Sequence, residues 1–484
     1  MNKTFRRLSP GLVAVFALLL TPQTSRAQFT DNYQTNIISA VVSSWSGVYY
    51  VGSNTVFDDL QIVKAGVLTG AYQNVVSYGV SASNNSVLVS DTGSIWKSFN
   101  ATYVGVFSRG NSLVISNGGQ VASFGGQIGF CGSSNSVLVT GTGSVWSNTA
   151  DLYLGSAVYT GYESRGNSLV IRGGGQVFNQ QGLLGTYYGT NSSVLVTGAG
   201  SVWNNSGSLT IGTQSAGDSL VISGGGKVLS SSGVIGFATL GVSADSNTVL
   251  VSDAGSVWSN QVNLFVGRSD GYKQTPAGRG NSLVISNGGM VVVASNMIVA
   301  SGNSVVLNHG NLAVGAGLVV TNGAILKGSG TIYANLTLAG TLAPGNSPGG
   351  LTNFGSLTLQ SSAVLDYKLG GTGQGTDYGF LRVTNGVVIL DGMLQVSFAN
   401  GFETNVLNSD AFTLLTADST LSGSFTNVLS GERLTTADGD GSFLVSYNDN
   451  NLVLSDFQVI PEPSTFVLLI LGGGCLRLLR RRLR

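Results

Sequence analysis

The 484-residue sequence predicts an all-β fold, a right-handed parallel β-helix (a β-solenoid) with three short strands per rung. Three observations predict it. The five tryptophans, Trp45, Trp96, Trp146, Trp203 and Trp258, lie 50 to 57 residues apart, and a period of that size marks a stacked array. Inside it runs a shorter phrase: Asn85-Ser86-Val87-Leu88-Val89, Asn135-Ser136-Val137-Leu138-Val139 and Asn247-Thr248-Val249-Leu250-Val251 alternate with Asn111-Ser112-Leu113-Val114-Ile115, Asn167-Ser168-Leu169-Val170-Ile171, Asp218-Ser219-Leu220-Val221-Ile222 and Asn281-Ser282-Leu283-Val284-Ile285. Finally, the β-branched runs are only three to six residues long and are separated by Gly, Asn, Asp and Ser, with no 3.6-residue apolar period anywhere in the repeats.

From Asn85 to Asn303 there are eight units of 22 to 34 residues, one of them opening on Ser192 instead of asparagine. The first strand of each is the Val-Leu-Val type run. A turn such as Asp91-Thr92-Gly93 leads to the second, which carries tryptophan in the phrase Gly143-Ser144-Val145-Trp146. The third is an apolar pair closed by glycine, as in Tyr103-Val104-Gly105, Leu154-Gly155, Ile211-Gly212 and Ile235-Gly236. One unit cannot bury both faces of such strands; stacking pairs each strand in parallel with its copy, about 4.8 Å away, around a continuous interior. The crossover rule makes the winding right-handed.

In this reading the tryptophan position alternates with Ala122, Phe178, Leu229 and Val292 in the sister units. The tryptophans then serve either as interior packing or as an exposed ladder for sugars. The asparagines form either an amide ladder, each bonded to its copy one rung on, or a binding row. Length variation falls in the loops Gly155 to Gly166 and Gly267 to Gly280, on one flank, where recognition is expected. Residues 28–335 form the regular repeat. Residues 336–459 keep the β pattern, as in Leu394-Gln395-Val396-Ser397-Phe398, and are expected to continue the solenoid less regularly and cap it, with a separate small sandwich as the alternative.

The ends read as address labels. Lys3, Arg6 and Arg7 precede an apolar run from Leu12 to Leu20, and Ser25 and Ala27 are spaced for signal peptidase, so residues 1–27 form a signal peptide cut between Ala27 and Gln28. In residues 460–484, Pro461-Glu462-Pro463-Ser464 precedes the apolar stretch Phe466 to Leu476 and then Arg477, Arg480, Arg481, Arg482 and Arg484. That stretch is short for a membrane span of about 20 residues, though arginines at its end can hold it as an anchor. Its order resembles the PEP-CTERM sorting signal of Gram-negative bacteria. The resemblance implies an exosortase-type processing enzyme as partner, transient anchoring in the inner membrane, and delivery to the cell surface or an extracellular matrix rich in exopolysaccharide. A plain stop-transfer anchor is the other reading.

The body also carries a resemblance. Gly200-Ser201-Val202-Trp203 and Leu220-Val221-Ile222-Ser223-Gly224-Gly225-Gly226-Lys227-Val228 are similar to repeats shared by type V autotransporter passengers and PEP-CTERM proteins, and Gly328-Ser329-Gly330-Thr331-Ile332 with Gly340-Thr341-Leu342-Ala343-Pro344-Gly345 resembles the autotransporter-associated β-strand segment. Roughly residues 40 to 430 are covered. There is no C-terminal run of some 8 or more alternating strands for a membrane barrel, so export by another route is implied.

Composition limits the chemistry. Charged residues are 9% of the chain, the formal net charge is zero, and His309 is the sole histidine, which leaves nothing for a multi-histidine zinc site or a serine-histidine-aspartate relay elsewhere. Residues 1–27 and 464–484 hold nine of the 22 basic residues and no acid, so the remainder carries 13 basic against 22 acidic side chains. A mildly acidic body disfavours nucleic acid as a partner. Cys131 and Cys475 are the two cysteines, and the second lies in the tail, so no disulfide is expected in the body. Asp91 and Asp253 read as turn residues, since Gly141 and Gly198 replace them in sister units, and Asp438-Gly439-Asp440-Gly441 reads as a hairpin turn rather than a calcium loop. Arg109, Arg165 and Arg279 each precede Gly-Asn at the same place in alternate rungs, a speculative ligand edge for acidic polysaccharide. No catalytic, metal or cofactor site is expected, and no cofactor. The function indicated is a structural or adhesive surface protein and not an enzyme; a β-helix polysaccharide lyase or glycosidase is the alternative, and a self-assembling layer or fibre unit a third.

Overall fold

The computed structural model describes residues 29–158, 161–271, 277–345, 349–447 and 449–460. Its strands wind into a parallel β-helix of fifteen rungs, each contributing one strand to each of three parallel sheets. Rung 3, for example, comprises Ser86–Ser90, Ile95–Ser98 and Thr102–Val106. Rung 4, comprising Ser112–Ser116, Gln120–Ser123 and Gly126–Phe130, lies on it in register, Ser86 on Ser112, Trp96 on Val121 and Tyr103 on Gln127. At about 4.8 Å per rung the shaft is roughly 70 Å long. Among the described residues there is no α-helix, only a single 3₁₀ turn at Phe402–Thr404.

Alternation along each strand sets which side chains fill the interior. In the first sheet the outer two residues of each apolar triplet point in and the middle one out, so Val87 and Val89, or Leu113 and Ile115, are buried. The second sheet corrects the sequence reading by one residue. Trp146 pairs with Val121 below and Val177 above, and Trp203 and Trp258 flank Val228. Ala122, Phe178, Leu229 and Val292, the expected counterparts, pair with Lys97, Ser147, Asn204 and Ser259 on the outward face. A shift of one position reverses the face. Four tryptophans are at most 1% exposed, so they pack the interior and form no exposed ladder. Trp45 lies at a bulge beyond that column, partly buried, with its Nε1 donating to the Val48 carbonyl at 3.1 Å.

The two-rung period has a steric cause. Rungs with tryptophan carry the smaller pair on the first sheet (Val87/Val89, Val137/Val139, Val194/Val196, Val249/Val251), and rungs with valine carry the larger (Leu113/Ile115, Leu169/Ile171, Leu220/Ile222, Leu283/Ile285). Interior volume per rung is thereby evened out. Each indole from Trp146 on also overhangs the rung below: a Cβ on Gly126 or Gly182 would come within 2.7 Å of Cζ2 of Trp146 or Trp203, and one on Gly233 within 2.6 Å of Trp258. That column of the third sheet reads Gly126, Leu152, Gly182, Leu209, Gly233, Leu264, Met297. Where the next rung carries Leu312 in place of tryptophan, Met297 stands instead of glycine. Indoles in consecutive rungs would have no glycine to lie over.

A buried ladder holds the corner between third and first sheets. Each backbone N–H of Asp58, Asn85, Asn111 and Asn135 donates to the side-chain Oδ1 of the ladder residue one rung on, at 2.8 to 3.1 Å, and the pattern resumes from Ser192 through Asp218, Asn247 and Asn281 to Asn303. Side-chain amides also bond to each other, Asn111 to Asn135 at 2.9 Å and Asn281 to Asn303 at 3.0 Å. These groups are buried, as a structural ladder requires. Serine is too short to continue it, and the Ser192 hydroxyl is buried without a partner. Asp91 and Asp253 adopt positive φ and accept backbone N–H bonds from Lys64 and Gly224 in the rung below, the turn role expected of them.

Parallel pairing continues through Met393–Phe398, Phe412–Ala417 and Leu421–Gly423. Antiparallel strands then close the end: Asn451–Val459 pairs with Phe412–Ala417 and with Gly441–Ser446, which pairs with Arg433–Thr435. The hairpin turn holding Asp438 bends over the last strand of the first sheet, where the Phe398 N–H donates to Asp438 Oδ2 at 2.6 Å. Phe398, Phe402, Phe412, Phe443 and Phe457 form an aromatic plug in this end, with centroid distances of 5.0 to 6.2 Å. Cys131 is buried and free.

Candidate functional site

The corner between the third and first sheets gathers the residues most able to meet a partner. Its inner layer is the ladder, and its outer layer is whatever each rung places between the third-strand glycine and the next ladder residue. The described ends of the longer connections, residues 156–158 and 161–165 and residues 268–271 and 277–279, lie here.

The three arginines share one column of this corner. Arg109 bridges to Ser83 below and Ser133 above, and Arg165 to Thr190. Backbone bonds carry the column on through Ala216 and Asp245 to Arg279. Arg109 and Arg165 are thus two rungs apart, as expected. Arg279 is four rungs beyond Arg165, because rung 8 opens with Ala216-Gly217-Asp218, and the expectation of strictly alternate rungs is corrected there. All three are exposed. Acids accompany them: Arg165 Nε lies 3.5 Å from Glu163, an exposed pair of little energetic weight, and the Arg279 N–H donates to Asp245 Oδ1 at 2.7 Å.

Beside this column runs an aromatic ridge that sequence reasoning missed. Tyr50, Tyr78, Phe107 and Phe130 follow one another over the first four rungs in edge contacts of 5.7 to 6.3 Å, and Tyr162 from the long loop meets Phe107 at 4.9 Å. The signal was available: an aromatic beside or one or two residues after the third-strand glycine, as in Gly105-Val106-Phe107 and Gly129-Phe130. Further along, Arg268 lies over the Phe237 and Phe265 rings, 5.4 and 4.7 Å from their centroids, a cation–π arrangement.

At the opposite end of the third sheet, Asn100, Tyr103, Phe124, Gln127, Asp151 and Tyr153 line a shallow groove of about 260 Å³. Tyr103 and Tyr153 stand two rungs apart with Gln127 between them. Burial, and then the charge of Asp151 beside it, push the Tyr153 phenol up from 10.0. Asp151 is the one carboxyl in this groove. Among the described residues no three His, Cys, Asp or Glu side chains converge on a point that could hold a metal ion. The signal-peptide site at Ala27 and Gln28 and the sorting motif at Pro461, Glu462, Pro463, Ser464, Arg480, Arg481 and Arg482 lie outside the described residues. Among those described, no helix is long and apolar enough to cross a membrane.

No family model matches the chain, and the search of curated proteins found no match. Among solved structures it is similar to the crystal structure of a TibC-catalysed, hyper-glycosylated TibA fragment, at 14% sequence identity and a TM-score of 0.39, over 77% of this chain and 97% of that one.

Proposed function

We propose that the protein is an exported, surface- or matrix-associated β-solenoid that works as a structural and adhesive element among extracellular polysaccharide. The observation that carries this reading is the corner between third and first sheets: on a shaft roughly 70 Å long, one edge bears an aromatic ridge, a column with three arginines, and the long loops. Many weak contacts repeated along a stiff support add up through effective concentration. Signal peptidase and an exosortase-type enzyme would deliver it, with the inner membrane as a transient station, on the strength of the terminal motifs. An enzyme acting on polysaccharide would need two acidic groups across one groove, and the groove beside Tyr103 and Tyr153 holds only Asp151.

The test is fractionation of the producing cells into inner membrane, outer surface and medium, with mass spectrometry of the protein's C-terminus and co-sedimentation with the cells' own polysaccharide. A chain ending near Pro463 that sediments with polysaccharide is expected. A chain ending at Arg484 in the inner membrane, with no polysaccharide retained, would refute the proposal.

A further inference from the structure

We infer that a groove on the outer face of the second sheet, over rungs 12 to 15, is a binding site for a uronic acid residue of an acidic polysaccharide. The inference rests on the surface-adhesive reading and gives it a ligand class and a place. The groove has a volume of about 620 Å³ and is lined by Thr331, Tyr333, Thr352, Phe354, Arg382, Thr384, Asn385 and Asp418, of which four carry the argument.

Tyr333 and Phe354 occupy one register position in adjacent rungs. Their rings stack at 5.0 Å with 12° between planes, and both remain exposed, at 46% and 37%. One rung further the same position holds Thr384. The stack therefore stops, and Phe354 has no third ring on its far side. A sugar ring, whose C–H face complements the negative face of an aromatic ring, fits in the missing place.

The charges select the sugar. Arg382 points outward two residues before Thr384 on the same strand, and no hydrogen bond or ion pair engages its guanidinium among the described residues. Asp418 enters the groove from the next rung, accepting the Asn385 N–H at 3.4 Å, and is not ion-paired to Arg382. An open guanidinium fork suits a carboxylate. The Asp418 carboxylate, with one oxygen left open, suits hydroxyl donors. Ring, carboxylate and adjacent hydroxyls on one residue define a uronate, whereas a neutral sugar leaves Arg382 unused and a fatty or peptide carboxylate leaves Phe354 or Asp418 without a complement.

The experiment titrates the purified secreted chain calorimetrically with oligomers of galacturonate, mannuronate and glucuronate and with their carboxyl-reduced, neutral counterparts. At least one acid oligomer is expected to bind about tenfold or more tightly than its reduced form, and Arg382→Gln to abolish that preference. A Tyr333→Ala/Phe354→Ala variant is expected to weaken both forms alike; all three substituted positions are exposed, and circular dichroism checks that the variants fold. If no acid oligomer is preferred, or if Arg382→Gln leaves the preference intact, the site is wrong. In that event retention of the unmodified protein and of Arg382→Gln on native polysaccharide in equal measure leaves the adhesive reading standing, and loss of retention by the unmodified protein removes both.

Discussion

Asp218 places a carboxyl in the buried ladder. It takes a position filled elsewhere by asparagine, between Ser192 and Asn247, and none of its immediate partners carries a charge. Ser215 Oγ donates to Asp218 Oδ2 at 2.5 Å and the Ser192 N–H to Oδ1 at 2.8 Å. Burial raises its carboxyl from 3.8 to about 7, against the opposing effect of those two bonds. An acid whose folded value is raised contributes its full stability below the unfolded value and loses it as pH climbs through the folded one. Stability should accordingly fall between about pH 4 and pH 7, by on the order of 4 kcal/mol at most. Asp218→Asn supplies an amide in the geometry of Asn111, which donates to Ser108 as Asp218 accepts from Ser215. The variant is expected to unfold at higher temperature at pH 8 and to show a flatter profile down to pH 4.5. Parallel melting curves for the two proteins at both pH values would show that the carboxyl is not the titrating group.

At the scale of the rung, packing couples the second and third sheets. Gly126→Ala alone is expected to push away the Trp146 indole and the Leu152 side chain, each 2.7 Å from the new Cβ, and cost about 2 kcal/mol. Trp146→Ala alone opens a cavity worth about 3 to 5 kcal/mol. In the double variant the indole's share of the clash is gone and only Leu152 has to move, so the combined cost should be at least about 0.5 kcal/mol smaller than the sum. Strict additivity in denaturant titrations would mean that the glycine is there for some other reason. This pair also explains what was legible in the sequence. Tryptophan spacing and the Asn-Ser/Thr phrase announced rungs, three strands per rung and the ladder, because each depends only on what recurs along the chain. The tryptophan's partner was misplaced by one residue, since turn lengths differ between rungs and only the hydrogen-bonded register settles which of Val121 and Ala122 faces inward. The aromatic ridge and the uronate groove were missed for a related reason: Tyr78, Phe107 and Phe130 stand at small but varying offsets from a glycine, Tyr333, Phe354 and Arg382 recur in no phrase, and each set becomes neighbours only when rungs are stacked. Asp91 and Asp253 were read correctly from their replacement by glycine in sister turns.

Over the whole molecule, stability should be local, because each rung touches chiefly the one below and the one above. The closing antiparallel strands matter most under this arrangement, as they pair the outer edge of Phe412–Ala417 and cover the open end of the interior. Phe443 sits at the centre of the plug, fully buried and in ring contact with Phe398, Phe412 and Phe457. Phe443→Ala should therefore cost about 3 to 5 kcal/mol, but in a particular place. Amide exchange should accelerate in Met393–Phe398, Phe412–Ala417 and the strands from Arg433 to Val459, while the tryptophan rungs, ten and more strand layers distant at their far end, keep their protection. Opening the cap also frees a parallel sheet edge, the surface on which other chains add, so the variant should form dimers and larger species by light scattering at concentrations where the unmodified protein stays monodisperse. A uniform rise in exchange from rung 1 to rung 15 would instead mean that the solenoid unfolds as one cooperative unit, and that the plug stabilises the far end as much as its own.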